Sequence, residues 1–357
     1  MEKKRINWID YAKGFGILCV IFGHNIDSAI GHKWVYTFHM PMFFILSGMI
    51  ICLKQEQKQT MKEILLKKMT TLIYPYVGFS IMMNVIAYIG LRFFNYSSWV
   101  AQSMEYFSIN VMRSIIGDGV GTLWFLPALF WGELLFLLVL KLNKKVVNIA
   151  AVVIVLVNSY VMSFHLNMVE GITNHLLHLL VSDVMKWIVA FSFVAIGYTS
   201  FNVVKKITTE MDIVKKIAFG IGALLVNCLL GMNNSVINLF ELEIGNLFLY
   251  YGAAVTGTFF VIIICSMINN INYLRYIGVN SLLYMAVDNN SSDNKILKWI
   301  WYDVFGINND MAFLFFLFVG IQVIEGLFIL IMKHTISFTY NWTALMKLFR
   351  LRKVERI

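Results

Sequence analysis

Long apolar runs separated by polar or charged breaks dominate the amino-acid sequence. The runs approach the roughly 20 residues that an α-helix needs to cross about 30 Å of hydrocarbon. The pattern therefore predicts an all-α polytopic membrane protein, with about ten transmembrane helices in one bundle. The predicted helices cover residues 8–26, 36–53, 72–93, 122–141, 146–163, 184–201, 214–231, 246–268, 273–288 and 311–333.

The composition excludes a soluble globular protein. Apolar residues make up 59% of the chain and charged residues 14%, against roughly 45–50% and about 25% in soluble domains. The four cysteines lie in apolar runs without a CxxC pair, so they indicate neither a disulfide framework nor a zinc site. We predict one integral membrane domain over residues 1–340, followed by a basic cytoplasmic tail over residues 341–357.

The basic residues fall mainly on one side of the predicted helices. On that side lie 22 of the 29 Lys and Arg residues, in the segments 3–5, 54–68, 141–145, 205–216, 275 and 333–356. Because cytoplasmic loops carry the excess of Lys and Arg, both termini are predicted to be cytoplasmic. The net charge of +9 is then explained by topology, and nucleic acid is excluded as a partner.

The first predicted helix carries three ionisable residues, Asp10, Lys13 and His24. Such groups are costly in a bilayer and usually face the protein interior or a water-filled site. Helical geometry puts all three on one stripe, with Lys13 and His24 about 20° apart around the axis and about 16 Å apart along it. The three are our predicted catalytic residues. The alternative is that Asp10 and Lys13 only extend to the interface and that His24 only ends the helix.

Three later helices carry further polar or aromatic candidates for substrate binding. The charge-derived topology puts the ends of these helices that bear His39, Trp124 and Asp288 near the outer face, where His24 also lies. We therefore predict one shared site. Alternatively, Trp124 belongs to an interfacial aromatic belt, and Asn280 and Ser281 hold helices together by hydrogen bonds. The candidates are His39 and Ser47 in the second helix, Trp124 and Glu133 in the fourth, and Asn280, Ser281 and Asp288 in the ninth.

Four segments of the chain resemble the ten-helix membrane acyltransferases of acyltransferase family 3, and within it the fucose 4-O-acetylase-like branch. The first two segments are specific and the last two supportive. They are R-x-x-x-I-D-Y-A-K-G-F-G-I-L-C-V-I-F-G-H at 5–24, F-H-M-P-M-F-F-I-L-S-G at 38–48, L-W-F-L-P-A-L-F at 123–130 and I-G-V-N-S-L-L-Y at 277–284.

The resemblance implies transfer of an acyl group, usually acetyl from acetyl-CoA, to a sugar hydroxyl of a cell-surface polysaccharide or glycolipid. It matches His24 to the family's catalytic histidine and Lys13 to its basic residue on the same helix. The chain departs from many relatives, which have Arg at Lys13 and often His at Asp288. The implied partners are cytoplasmic acyl-CoA, a glycan or lipid-linked sugar acceptor and plasma-membrane lipids, and no metal is expected.

Acyl transfer from a thioester to an alcohol needs a base, and histidine titrates in the useful range. We assign this role to His24, with Lys13 facing the CoA phosphates. Oxyanion donors remain open among Asn280, Ser281, Trp124 and backbone N–H groups. One alternative function is a flippase or transporter for a lipid-linked sugar, which internal repeats would favour although we find none. Another is an inactive scaffold, against which the presence of His24 argues.

The charge asymmetry predicts that reporter proteins fused to either terminus are cytoplasmic, because both ends lie on the Lys- and Arg-rich side. A reporter inserted at residues 232–245, on the less basic side, is the control and should lie on the outer side of the membrane. Termini on different sides of the membrane would mean that the predicted number of spans is wrong by an odd number.

Overall fold

The computed structural model describes residues 6–25, 28–94, 104–142, 175–288, 297–307 and 310–348. These residues are mostly helical and contain no β-strand, which confirms the predicted all-α fold. A 3-10 turn at Gly121–Trp124 leads into α7. The α-helices are α1 (Asn7–Asn25), α2 (Ala29–Tyr36), α3 (His39–Lys54), α4 (Met61–Lys68), α5 (Tyr74–Phe94), α6 (Met104–Ile116), α7 (Phe125–Leu142), α8 (His175–Glu210), α9 (Ile213–Met232), α10 (Leu247–Met267), α11 (Asn272–Val279), α12 (Ser281–Val287), α13 (Asp310–Thr335) and α14 (Trp342–Leu348).

Seven segments of the described chain are long and apolar enough to cross a membrane. Each contains most or all of one predicted span, so the polytopic membrane architecture is confirmed. The segments are Ala29–Lys54, Met61–Phe93, Phe107–Lys141, Leu176–Glu210, Ile213–Met232, Leu247–Met267 and Ala312–Thr335.

The three remaining predicted spans have different outcomes. The helix predicted at 8–26 is present as α1, but Asp10, Lys13 and His24 make it less apolar than those seven segments. The span predicted at 146–163 lies outside the described residues. The prediction of one continuous helix over 273–288 is wrong, because the chain forms α11 and α12 with a turn at Asn280 between them.

The side chain of Asn280 explains this break. Its Nδ2 donates to the carbonyl of Tyr276 at 2.7 Å, and its backbone N–H donates to the carbonyls of Tyr276 and Ile277, both at 3.1 Å. Asn280 thus caps the C-terminal end of α11. The short amide of asparagine competes for nearby backbone groups, which favours the end of a helix over its interior.

The contacts divide the chain into two compact units. The described residues of the first unit fall within Met1–Gly23, Asp27–Gln59 and Trp131–Ser281, and those of the second fall within His24–Ile26, Thr60–Phe130 and Leu282–Ile357. The predicted division into a membrane domain over 1–340 and a tail over 341–357 stays a prediction.

In the first unit, glycines bring helices into backbone contact. An added Cβ at Gly48 of α3 would overlap the carbonyl oxygen of Val194 in α8, and one at Gly197 would overlap that of Ile45. Small residues are the usual means of such close approach between membrane helices.

The first helix meets α11 through the same kind of contact. An added Cβ at Gly14 would overlap the carbonyl oxygen of Leu274, and one at Gly278 would overlap that of Asp10. The backbone of α1 beside Asp10 is therefore fixed against α11.

A buried amide joins α2, α9 and α10 in the first unit. Asn227 is fully buried and accepts a hydrogen bond from Trp34 Nε1 at 2.8 Å. Its Nδ2 donates to Thr37 Oγ1 at 3.1 Å and to the carbonyl of Ala253 at 2.8 Å. Every polar atom of this amide is thus used inside the protein.

In the second unit, α5 packs against α6 and against the 3-10 turn at Ser337–Thr339. Tyr76 Oη donates to the carbonyl of Ser114 at 2.6 Å, and Asn84 Nδ2 donates to its hydroxyl at 3.0 Å. Tyr74 Oη donates to the carbonyl of Phe338, and an added Cβ at Gly78 would overlap that of Thr339. These contacts tie the start of α5 to the segment after α13.

Replacing Gly278 by alanine should destabilise the protein by about 1–3 kcal/mol, since the new methyl group forces α1 and α11 apart. The measurement is the thermal unfolding midpoint of the purified protein in detergent. Gly222→Ala in α9 is the matched control, because no heavy atom outside its own helical backbone lies within 4 Å of an added Cβ there. Equal midpoints for the two variants would contradict the importance of this contact.

Candidate active site

A histidine and an aspartate from distant parts of the sequence form a hydrogen-bonded pair in the second unit. His24 lies in the last turn of α1, and Asp288 directly follows α12. His24 Nδ1 is 3.0 Å from Asp288 Oδ2, and Asn25 Nδ2 donates to Asp288 Oδ1 at 3.0 Å. The end of α1 therefore contacts both oxygens of one carboxylate.

The two members of the pair differ in exposure. The side chain of Asp288 is 4% exposed, whereas that of His24 is 32% exposed. With Nδ1–H donating to the carboxylate, the lone pair of a neutral imidazole lies on Nε2. The carboxylate then orients the ring and stabilises the imidazolium that forms when Nε2 takes a proton. This pair has the chemistry of an oriented general base.

The segment that holds Trp124 is joined to α12, which leads to Asp288. Thr122 Oγ1 donates to the carbonyl oxygen of Met285 at 2.5 Å, and both residues are buried. Trp124 is 7% exposed and packs edge-on against Phe125. An interfacial belt residue presents its ring to lipid headgroups, whereas this ring lies inside the protein.

A glycine-rich loop precedes Trp124. Gly117, Gly119 and Gly121 have φ values of 95°, 76° and 59°, in the left-handed region that favours glycine. Asp118 is buried in this loop, and its Oδ2 is 2.5 Å from Arg113 Nε at the end of α6. The ion pair and the backbone bond from Gly119 N to the Arg113 carbonyl at 3.2 Å fix the loop on α6.

Asp10, Lys13, Asn280 and Ser281 belong to the first unit. Asp10 is 5% exposed and Lys13 is half-buried, so the Asp10 side chain lies inside the protein. Asn280 uses its amide to cap α11, and Ser281 is the half-buried first residue of α12. The structure thus gives Asn280 a local structural role.

His39, Ser47 and Glu133 are also in the first unit. His39 is the first residue of α3, whose first turn contains Pro41, and its Nδ1 bonds to the carbonyl of Val35 at 2.9 Å. Ser47 of α3 donates a hydrogen bond to the buried carboxylate of Glu133 in α7. Polar candidates from the second and fourth predicted helices are therefore bonded to each other.

The similarity to known proteins settles the family. The family model of an acyltransferase domain, acyltransferase family 3, matches residues 6–332. The chain belongs to this acyltransferase family. No curated protein and no solved structure shows significant similarity to it. Together with the membrane-spanning helices, the match establishes a membrane acyltransferase fold that contains the His24–Asp288 pair.

The segments around His24, His39, Trp124 and Asp288 are predicted to share one site, and three of the four are linked by contacts within the second unit of this acyltransferase. These are the segments of His24, of Trp124 and of Asp288, which are joined by the His24–Asp288 and Thr122–Met285 hydrogen bonds. The segment of His39 lies in the first unit. One site shared by all four segments stays a prediction.

Several polar residues of the acyltransferase were not singled out by the sequence reasoning. Asp183 and Lys186 of α8 form an ion pair of 3.5 Å with both side chains 4% exposed, and Lys186 Nζ lies 4.7 Å from the ring centre of Phe240. Glu325 is 1% exposed within the apolar helix α13. Lys186 and Glu325 lie inside the predicted spans 184–201 and 311–333, where their charge is visible in the sequence, whereas Asp183 falls one residue before the first of these spans. Thr122 carried no such signal, because its partner is a backbone carbonyl.

Lys186→Met should destabilise the acyltransferase by about 3–5 kcal/mol, because it leaves the Asp183 carboxylate buried without this cation. The double variant Asp183→Asn, Lys186→Met should recover much of the loss, since neither charge remains. Thermal unfolding midpoints in detergent measure both effects. A double variant no more stable than Lys186→Met would contradict a mutual pairing of these charges.

Proposed function

We propose that the protein is a membrane O-acyltransferase of the fucose 4-O-acetylase-like branch. In this proposal it moves an acetyl or other short acyl group from acyl-CoA to a sugar hydroxyl of a cell-surface polysaccharide or glycolipid. The observation that supports it most is the hydrogen bond between His24 and the buried carboxylate of Asp288. This pair supplies a base, and membership of the acyltransferase family supplies the reaction class.

In the proposed reaction, the sugar hydroxyl attacks the carbonyl carbon of the thioester. His24 Nε2 takes the hydroxyl proton while the new C–O bond forms, and the imidazolium is stabilised by the Asp288 carboxylate. The tetrahedral intermediate then breaks its C–S bond. The proton on His24 passes to the departing thiolate, so that the products are the sugar ester and free CoA.

The donor is proposed to enter from the cytoplasm along the stripe of α1 that bears Asp10 and Lys13. Because α1 is one continuous helix, Lys13 lies about 16 Å along its axis from His24. An extended pantetheine arm spans such a distance while the CoA phosphates meet the Lys13 ammonium. An ammonium acts there as a point charge without the two-pronged geometry of arginine.

The acceptor sugar is proposed to approach from the outer face, where the charge-derived topology puts His24. A surface glycan or a lipid-linked sugar is presented on that side of the membrane, whereas acyl-CoA is made in the cytoplasm. The proposed site therefore joins two substrates that reach it from opposite directions.

His24→Ala should lower acyl transfer by about 10²- to 10⁴-fold, because it removes the general base and little packing volume. The test uses purified protein in detergent with acetyl-CoA and a sugar acceptor, and it measures acceptor-dependent release of free CoA together with the acetylated sugar. His334→Ala, at an exposed position in the last turn of α13, is the control and should keep wild-type activity.

Near wild-type turnover by His24→Ala would exclude His24 as the base and make His39 the leading candidate. If the folded wild-type protein transfers no acyl group but moves a lipid-linked sugar across vesicle membranes, the transporter alternative is correct. An active wild type and an inactive, folded His24→Ala variant support the enzyme.

A further inference from the structure

We propose that Thr122 is a positioning residue of the His24–Asp288 pair, acting through the end of α12. The proposal rests on the proposed function, in which this pair is the general base. The hydroxyl of Thr122 bonds to the carbonyl of Met285, and not to His24 or Asp288. Its hydroxyl instead fixes the backbone that holds the carboxylate.

The C-terminal end of α12 has a hydrogen-bond partner from a distant part of the chain. The last four carbonyl groups of a helix receive no hydrogen bond from within the helix. When they are buried, other groups must donate to them. The Tyr284 carbonyl accepts from the backbone N–H of Asp288 at 2.8 Å, whereas the Met285 carbonyl accepts from Thr122 Oγ1 at 2.5 Å. Thr122 is thus a cap supplied by a residue 163 positions away in the sequence.

The place of this cap connects it to the active site. Met285 precedes Asp288 by three residues, about one helical turn. The carboxylate at the end of that turn accepts hydrogen bonds from His24 and Asn25. A shift of the last turn of α12 would therefore move the carboxylate relative to the imidazole.

Thr122 is itself held on a rigid segment. It belongs to the 3-10 turn Gly121–Trp124, and the Arg113–Asp118 ion pair anchors the loop before it. An added Cβ at Gly119 would lie 2.5 Å from the backbone nitrogen of Trp124, so loop and turn are in tight contact. The hydroxyl is thus presented to α12 by a fixed backbone.

This bond differs from the ordinary threonine contacts of the protein. The hydroxyls of Thr199, Thr256 and Thr258 bond to carbonyls three or four residues earlier in their own helices. Thr122 directs its hydroxyl to a different element. Thr258 is fully buried like other core residues, which makes it a matched control for loss of a buried hydroxyl.

Thr122→Val keeps the size of the side chain and removes the donor. We expect kcat to fall about tenfold to 100-fold, because small displacements of a catalytic group have effects of this order. The KM for acetyl-CoA should change by less than about twofold. Thr122→Ser restores the hydroxyl and should keep activity within about threefold of wild type, and Thr258→Val should keep wild-type kcat.

A double-variant comparison separates positioning from general stability. Asp288→Asn should lower kcat by itself. Thr122→Val added to it should lower kcat by less than about twofold more, because the carboxylate that Thr122 positions is already gone. A merely structural role would instead multiply the two losses. Thermal unfolding midpoints of all variants show which are folded. If Thr122→Val does not fold, Thr122→Ala, which also lacks the hydroxyl, takes its place with the same expected loss of kcat.

Three results would overturn the proposal for Thr122 alone while the wild type transfers acyl groups. The first is wild-type kcat in Thr122→Val or its Ala substitute, and the second is an equal loss of kcat in that variant and in Thr122→Ser. The third is a double variant with Asp288→Asn whose loss of kcat is the full product of the two single losses. A folded wild type that transfers no acyl group would overturn both this proposal and the proposed function. The two failures are therefore distinguishable.

Discussion

A polar group placed in hydrocarbon has no water to bond with, and this constraint governs the arrangement of the protein. Unpaired groups there cost several kcal/mol each, so polar side chains must find partners inside the protein. Glu133 is bonded by Ser47, Asp183 pairs with Lys186, and Asn227 uses every atom of its amide. The bonds of Glu133 and Asn227 join helices that are far apart in sequence, so each of these two groups also fixes a helix contact, whereas Asp183 and Lys186 pair within α8.

The same constraint explains why a broken helix is useful. A helix that stops inside a membrane protein exposes carbonyl groups, which is tolerated only where protein or water satisfies them. Asn280 ends α11 by bonding the carbonyl of Tyr276, and Thr122 satisfies that of Met285 near the end of α12. After the break α12 runs to Val287, and the carboxylate of the next residue, Asp288, bonds to the histidine of α1.

The sequence predicted much of the fold because the length of an apolar run is set by the thickness of the bilayer, which no tertiary contact alters. It also brought Asp10, Lys13, His24 and Asp288 to attention, since charge inside an apolar run is visible without coordinates. It failed over residues 273–288, where an apolar run hid a turn. No proline marks that turn, and the side chain of Asn280 ends the helix through a local bond that hydropathy does not register.

By itself, then, the sequence determined that this chain is a helical membrane protein and that its motifs are those of a membrane acyltransferase. Only the tertiary structure decided the partners. Whether Asp288 bonds His24 depends on where two short helix ends meet, and Thr122 reaches Met285 because a glycine-rich loop turns it there. Such contacts depend on distances between atoms that are far apart in the chain. Hydrophobic pattern and residue type are local properties of the sequence and do not give those distances.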